Sequence, residues 1–293
     1  MTTMTASTTT PSRSNAHASL TSRAMHVFLF ELKSQLRPFL IGTVTLLAVA
    51  VLLLAGAYPI YRDSKSSVEQ VIDGFPPQFA ALFGVNDDVF SFGGFYRFSS
   101  LYLMLTMAIM ACAWGLAVFG REKRAKATDF LFVMPMPRGA IYAAKLAAGL
   151  TMVVVASLAF LAAVALTYTR FRDDSTATSI ALPRLILAAS SLLGVGVLFL
   201  AFGALTAVLL RRIRSVSGIA TAFGVFGFML VSLPEMTGED KYRIISPFTW
   251  FNVSEALDHG RYEAGYLALA AVVAVACLAA GAVAYVRGEV RAE

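Results

Sequence analysis

Charged side chains are scarce in this 293-residue sequence, at 14% of all residues, whereas 58% of the residues are hydrophobic. A soluble domain usually carries about 25% charged residues. This shortage argues against a soluble globular protein and favours a chain that is embedded in a membrane. The net charge of +6 does not call for nucleic acid as a partner, because the basic residues flank apolar segments, as they do in membrane proteins.

Catalytic and metal-binding patterns are also missing. The dipeptide Gly-Lys does not occur, so the sequence has no phosphate-binding loop of the G-x-x-x-x-G-K-[ST] type. The three histidines, His17, His26 and His259, form no H-E-x-x-H pattern. Cys112 and Cys277 lie inside apolar segments, where they fit small buried residues better than a disulfide or metal ligands. We therefore expect no enzyme activity, no cofactor and no metal site, and ATP, if used, must be bound by a partner chain.

Long apolar segments, by contrast, are abundant. A helix that crosses a bilayer needs about 20 mostly apolar residues. Six segments approach or meet that need: Phe39–Ile60, Ser99–Gly120, Leu146–Thr169, Leu185–Leu210, Val216–Leu233 and Gly265–Val286. None of them contains Asp, Glu, Lys, Arg or His. The sequence thus predicts an all-α integral membrane protein with six transmembrane helices over residues 25–293, preceded by a disordered tail over residues 1–24.

Basic residues in the flanking segments predict the orientation. The N-terminal segment, the second and fourth loops and the C-terminal segment together hold 15 of the 24 Lys and Arg residues but only 5 of the 18 Asp and Glu residues. Because basic residues favour the cytoplasmic side, both termini are predicted to be cytoplasmic. The second loop, with the sequence REKRAKATDFLFVMPMPRGAIYAAK, then also faces the cytoplasm.

The second loop carries an apolar stripe at helical spacing, formed by Ala127, Phe130, Leu131 and Met134. Pro135 and Pro137 cannot continue that helix, but Pro137 can begin the next one. The pattern predicts a span, a short amphipathic helix, a sharp break and the next span. The residues alone leave two interpretations open: a helix that lies on the inner leaflet, or a helix that docks in a groove of a cytoplasmic protein.

The loop also contains Arg121-Glu122, then Thr128-Asp129-Phe130-Leu131, then Pro135-x-Pro137-Arg138, and finally Lys145. In this order and spacing it resembles the segment between the second and third spans in permease subunits of ABC exporters of the second type. Two other segments are similar to the same family. Phe28–Gly42 resembles its amphipathic, interfacial N-terminal helix, and Ile245–Leu257 resembles the stretch before its last span.

The resemblance implies a permease subunit of an ATP-driven ABC exporter in the cell membrane. In that family two membrane subunits pair, and each contacts a separate ABC ATPase subunit through a coupling helix in this cytoplasmic loop. The partners implied here are therefore an ATPase subunit, a second permease subunit and membrane lipid. The partner-coupling residues that the resemblance implies are Glu122, Lys126, Asp129, Phe130, Leu131, Pro135, Pro137 and Arg138.

Two other functions stay open on the residues alone. One is a non-transporting membrane scaffold or sensor that recruits a cytoplasmic partner through the same loop. The other is an ion-independent carrier or channel, which normally has broken spans or a polar midplane. Here the midplanes offer little more than Ser, Thr, Gly and Tyr, which counts against a carrier.

Two further patterns concern packing and the outer side. The glycines between Gly194 and Ala207 predict a face on which helices approach each other closely. The predicted fifth loop carries Phe248, Trp250 and Phe251, an aromatic group that fits either anchors in the membrane interface or a gate over an exit.

Overall fold

The computed structural model describes residues 13–64, 90–125, 136–171, 180–234 and 240–287. All regular structure in these residues is helical. The α-helices are α1 (Arg13–Val51), α2 (Tyr58–Asp63), α3 (Phe92–Ala125), α4 (Arg138–Phe171), α5 (Leu182–Ala189), α6 (Ser191–Leu209), α7 (Val216–Met229), α8 (Val253–His259) and α9 (Ala264–Arg287). A π-helical turn, Leu52–Ala57, joins α1 to α2, and short 3-10 helices occupy Leu230–Ser232 and Asp240–Ile244.

Five helical segments are long and apolar enough to cross a membrane: Thr21–Asp63, Phe92–Arg121, Arg138–Phe171, Leu182–Leu209 and Ala264–Arg287. A sixth, Val216–Ser232, is apolar but shorter. Each of the six predicted apolar segments therefore lies in a helical segment, apart from a residue at an end. The prediction of an all-α chain suited to a membrane is confirmed for the described residues.

The first helical segment is much longer than a bilayer requires. Thr21–Asp63 spans 43 residues, or about 65 Å at 1.5 Å per residue, against about 30 Å of hydrocarbon. The helix is unbroken through Pro38, so the amphipathic segment and the first span form one continuous helix rather than two separate elements. It begins at Arg13, within the predicted tail of residues 1–24, of which residues 1–12 lie outside the described part.

The helices α3 and α6 lie at the centre of the bundle, and a larger share of their residues is buried than in the other long helices. Their backbones are nearly in contact at Gly115 and Gly203. A Cβ atom added at Gly203 would lie 2.2 Å from the carbonyl oxygen of Cys112, and one added at Gly115 would lie 2.5 Å from that of Leu200. The predicted close approach along the Gly194–Ala207 face is thus confirmed at Gly203.

The second half of α1, together with α2, runs parallel to α4. Near the start of α4, Lys145 contacts Glu31 in the middle of α1, with 2.7 Å between Nζ and Oε1. At the opposite end of α4 the ring of Phe171 lies 5.4 Å from that of Tyr58 in α2. We call the first of these ends, where α3 also stops and α4 starts, the loop end, and the opposite one the far end.

Local signals in the sequence explain where several helices begin and end. The hydroxyl of Ser215 accepts a hydrogen bond from the backbone N–H of Gly218 at the start of α7. The side chain of Asn252 accepts from the backbone of Ser254 and Glu255 at the start of α8. Helix α8 then stops at Gly260, which has a φ of 66°, a left-handed conformation that glycine adopts without steric strain.

Candidate functional site

The residues that the resemblance singled out are described only in part. Lys126, Asp129, Phe130, Leu131 and Pro135 lie outside the described residues, and Glu122 is known only as a position in the last turns of α3. Pro137 and Arg138 are described.

Pro137 directly precedes α4, and its carbonyl oxygen accepts a hydrogen bond from the backbone N–H of Ala140 at 2.9 Å. Pro137 therefore does not begin the helix after the loop, as the sequence predicts, but stands one residue before it, at its N-cap. Arg138 is the first residue of α4. Its Nη1 donates to the carbonyl oxygen of Val286 in α9 at 3.4 Å, so this arginine ties the end of the loop to the last helix.

A second tie between α4 and α9 lies one turn further along. The hydroxyl of Tyr142 donates to the carbonyl oxygen of Leu278 at 2.9 Å. The Tyr142 ring packs against Phe119 of α3 and Tyr285 of α9, with ring centroids 4.9 and 5.6 Å apart. Aromatic pairs at such distances contribute about 0.5–1.5 kcal/mol beyond the area that they bury. The start of α4 is thus held firmly between the ends of two other helices.

The most unusual feature of the loop end is a buried ion pair. The side chains of Glu31 and Lys145 are only 3% and 1% exposed, and their charged atoms are 2.7 Å apart. Lys145 Nζ also donates to the carbonyl oxygen of Val118 in α3 at 2.9 Å. Buried charges are stable only when they are paired and hydrogen-bonded. One pair therefore joins α1, α3 and α4 at the level where the loop is attached.

A second cation faces the same carboxylate. Arg121 Nη1 lies 3.8 Å from the other oxygen of Glu31, which is within an ion pair but beyond a hydrogen bond. The guanidinium also lies over the ring of Phe30, 4.7 Å from its centroid, in a cation–π arrangement. Its side chain is 35% exposed. The carboxylate of Glu31 therefore sits between one fully buried and one partly exposed cation.

Sequence reasoning missed this ion pair. In the sequence, Lys145 belongs to the basic flank just before the predicted third span, and Glu31 lies in the segment that resembles the amphipathic N-terminal helix of the family. The predicted spans contain no Asp, Glu, Lys, Arg or His, but α1 and α4 extend beyond these spans and bury Glu31 and Lys145 there. One signal was present: Glu31 is the only acidic residue before Asp63, on a helix otherwise rich in basic residues.

The aromatic group of the predicted fifth loop is buried inside the bundle. Phe248, Trp250 and Phe251 are all at most 6% exposed, so they do not face lipid as interfacial anchors would. Phe248 packs on Phe199 of α6 with ring centroids 5.3 Å apart, and Ser246 donates to the carbonyl oxygen of Gly227 at 3.0 Å. The residues before α8 thus fill a gap between α6 and the helix at Val216–Ser232.

Polar contacts hold this far-end segment on the neighbouring helices. Asp258 of α8 forms an ion pair with Arg97 of α3, and its carbonyl oxygen accepts from Arg184 Nη1 at 2.9 Å. The hydroxyl of Tyr262 donates to the carbonyl oxygen of Leu187 at 2.6 Å, beside the break between α5 and α6. Burial raises the pKa of Tyr262, so at neutral pH it stays a hydrogen-bond donor to this break.

Within the described ranges, the far-end segment and the loop end are the two candidates for a functional site. Of these two, the loop end combines buried charges with the loop that the sequence singled out. Among known proteins, no family model matches this chain and no curated protein matches it significantly.

Proposed function

We propose that this chain is the membrane-spanning permease subunit of an ATP-driven ABC exporter, which forms the translocation pathway and couples to a separate ATP-hydrolysing subunit. A second permease subunit, either a copy of this chain or a paralogue, completes the assembly. The order of motifs from Arg121 to Lys145 supports this proposal, together with the apolar helices that flank the loop.

The observation that carries the proposal is how the two ends of the loop are held. The end of α3 and the start of α4 are both joined to α1 by the carboxylate of Glu31, and α4 is also tied to α9. A loop that only rests on lipid does not need such attachment at both ends. A loop that transmits force from a partner does, because a displacement is passed on only by a stiff connection.

The proposal includes six membrane crossings with both termini in the cytoplasm. Val216–Ser232 has 17 residues, or about 25 Å of helix, and a bilayer adapts to such a shortfall by thinning at a modest free-energy cost. With six crossings the loop end is cytoplasmic, and Arg211, Arg212 and Arg214 lie there as well, in agreement with the positive-inside rule.

Cysteine labelling in intact cells checks this topology. In a background without Cys112 and Cys277, a cysteine at His259 should react with a membrane-impermeant maleimide, because this position is exposed at the far end. A cysteine at Arg211, which is exposed in the segment before α7, should react only after the cells are opened. The reverse pattern contradicts the orientation, and reaction of both in intact cells contradicts a crossing between them.

Replacing both Phe130 and Leu131 with alanine tests the function. If these residues anchor the ATP-hydrolysing subunit, the double variant should reach the membrane in normal amount but no longer bring that subunit down in purification. Apolar anchors at the centre of an interface contribute about 2 kcal/mol or more each, and 2 kcal/mol is roughly thirtyfold in affinity. The measurement is the amount of co-purified ATPase per permease.

The matched control is Thr128→Ala, which removes a small polar side chain in the same segment and should leave co-purification intact. Full retention of the ATPase by the double variant contradicts a docked helix and favours one that lies on lipid. A wild-type chain that brings down a cytoplasmic protein without ATPase activity favours the scaffold or sensor function instead.

A further inference from the structure

The carboxylate of Glu31 is shared between the two ends of the loop. Lys145, near the start of α4, holds Oε1 at 2.7 Å, and Arg121, near the end of α3, lies 3.8 Å from Oε2. The two cations are on the helices that enter and leave loop 126–135, whereas Glu31 belongs to α1. Any change in the distance between the two ends of the loop therefore changes the distances from the Glu31 carboxylate to its two cations.

We propose that Glu31 is a positioning residue that makes α1 move together with the two ends of the loop, the end of α3 and the start of α4. The inference rests on the proposed function for its direction, from the ATP-hydrolysing subunit towards the membrane. The mechanical tie itself depends only on the three side chains and can be tested without a partner.

The geometry allows a movement of the loop ends to reach α1, because the two contacts of Glu31 differ in length. Charge-assisted hydrogen bonds between nitrogen and carboxylate oxygen are about 2.7–2.9 Å long, so the contact of Glu31 to Lys145 is already tight. The contact to Arg121, at 3.8 Å, is about 1 Å longer than such a bond, and a shift of about that size at the end of α3 is enough to close it. Since the side chains of Glu31 and Lys145 are buried, the attraction between their charges is screened far less than at a surface.

The burial pattern shows how α1 is attached near the loop end. Towards the loop end, α1 presents mostly exposed residues, among them Leu29, Phe30 and Leu36. The buried positions in the same region are Glu31 and Gln35. Glu31 is thus the one buried charge on this part of α1, and its contacts to α3 and α4 add to the packing of the partly buried Leu32 and Phe39 on the core.

Distances between spin labels on the isolated chain in proteoliposomes test the tie. One label replaces Lys33, an exposed residue of α1, and the second replaces either Gly139 of α4 or Ala125, the last residue of α3. A Cβ atom added at Gly139 meets no other atom within 4 Å, so this position has room for the start of a label side chain. Both pairs should give narrow distance distributions in the otherwise unaltered chain.

The variants should separate the two contacts. Glu31→Gln keeps the size of the side chain but loses the charge, and it should broaden both distributions. Arg121→Gln leaves the buried pair in place and should broaden only the distribution between Lys33 and Ala125. Arg37→Gln, which removes an exposed charge on the same helix, is the control and should change neither.

Unchanged distributions in a folded Glu31→Gln chain overturn the inference. If Glu31→Gln does not fold, Arg121→Gln decides: a selective effect on the pair with Ala125 supports the shared carboxylate, and no effect overturns it. The proposed function fails separately, when the wild-type chain co-purifies no ATP-hydrolysing subunit. Where that subunit does co-purify, Glu31→Gln should retain it but lose the dependence of the label distances on ATP.

Discussion

Gly203→Leu should abolish the folded, monodisperse protein. A Cβ atom at this position would lie 2.2 Å from the carbonyl oxygen of Cys112 and 3.0 Å from its carbonyl carbon. Both are backbone atoms, which cannot move aside as the end of a flexible side chain can. The central helices α3 and α6 would have to separate. The close packing that holds a helical membrane protein together would then be lost. Overpacking usually costs about 1–3 kcal/mol, and we expect more here.

The measurement is size-exclusion chromatography of the detergent-solubilised protein together with its thermal unfolding. Gly203→Ala introduces the same clash with a single methyl group and should give a folded protein with a clearly lowered melting temperature. The control is Gly265→Ala in α9, where an added Cβ meets no atom within 4 Å. It should be neutral or slightly stabilising, since alanine favours a helix over glycine by about 1 kcal/mol. Wild-type behaviour of Gly203→Leu contradicts the close packing of α3 on α6.

The positions of the helices could be predicted from the sequence. A helix that crosses a bilayer needs about 20 mostly apolar residues in a row, and such a run is visible in the sequence itself. The close approach of α6 was also predictable, since glycines at helical spacing are useful mainly where backbones meet. The partner position on α3 was not. Nothing in the letters around Gly115 says that it faces Leu200 rather than lipid.

The ion pair at the loop end could not be predicted from a short stretch of sequence. A lysine beside an apolar run is expected to anchor a helix in the membrane interface, and for most lysines that is correct. Whether it is buried depends on a counter-charge elsewhere, and here Glu31 lies more than a hundred residues before Lys145 in the sequence. The far-end aromatic group follows the same rule. Phe251 is buried because Gly194 leaves room for its ring, and a local pattern cannot reveal this pairing.

Glu31→Leu should destabilise the protein by about 3–5 kcal/mol, because breaking a buried ion pair by removing one of its members is strongly destabilising. Lys145, which is 1% exposed, then loses its carboxylate and keeps the carbonyl oxygen of Val118. Lys145→Met should cost less than Glu31→Leu. Glu31 then still faces Arg121 at 3.8 Å, and that guanidinium is able to move closer.

The double variant Glu31→Leu with Lys145→Met should recover most of the stability, since replacing both members of a buried ion pair by apolar residues of similar size is often neutral or stabilising. Unfolding in mixed micelles with increasing SDS gives the free energy of each variant, and the double-mutant cycle isolates the coupling between the two residues. A coupling below about 1 kcal/mol is what an exposed pair gives, and it would contradict the burial of this one. A double variant that is stable but no longer holds α1 in place separates the two roles of the pair: its charges then serve to position α1, and the stability of the bundle comes from the packing of its central helices.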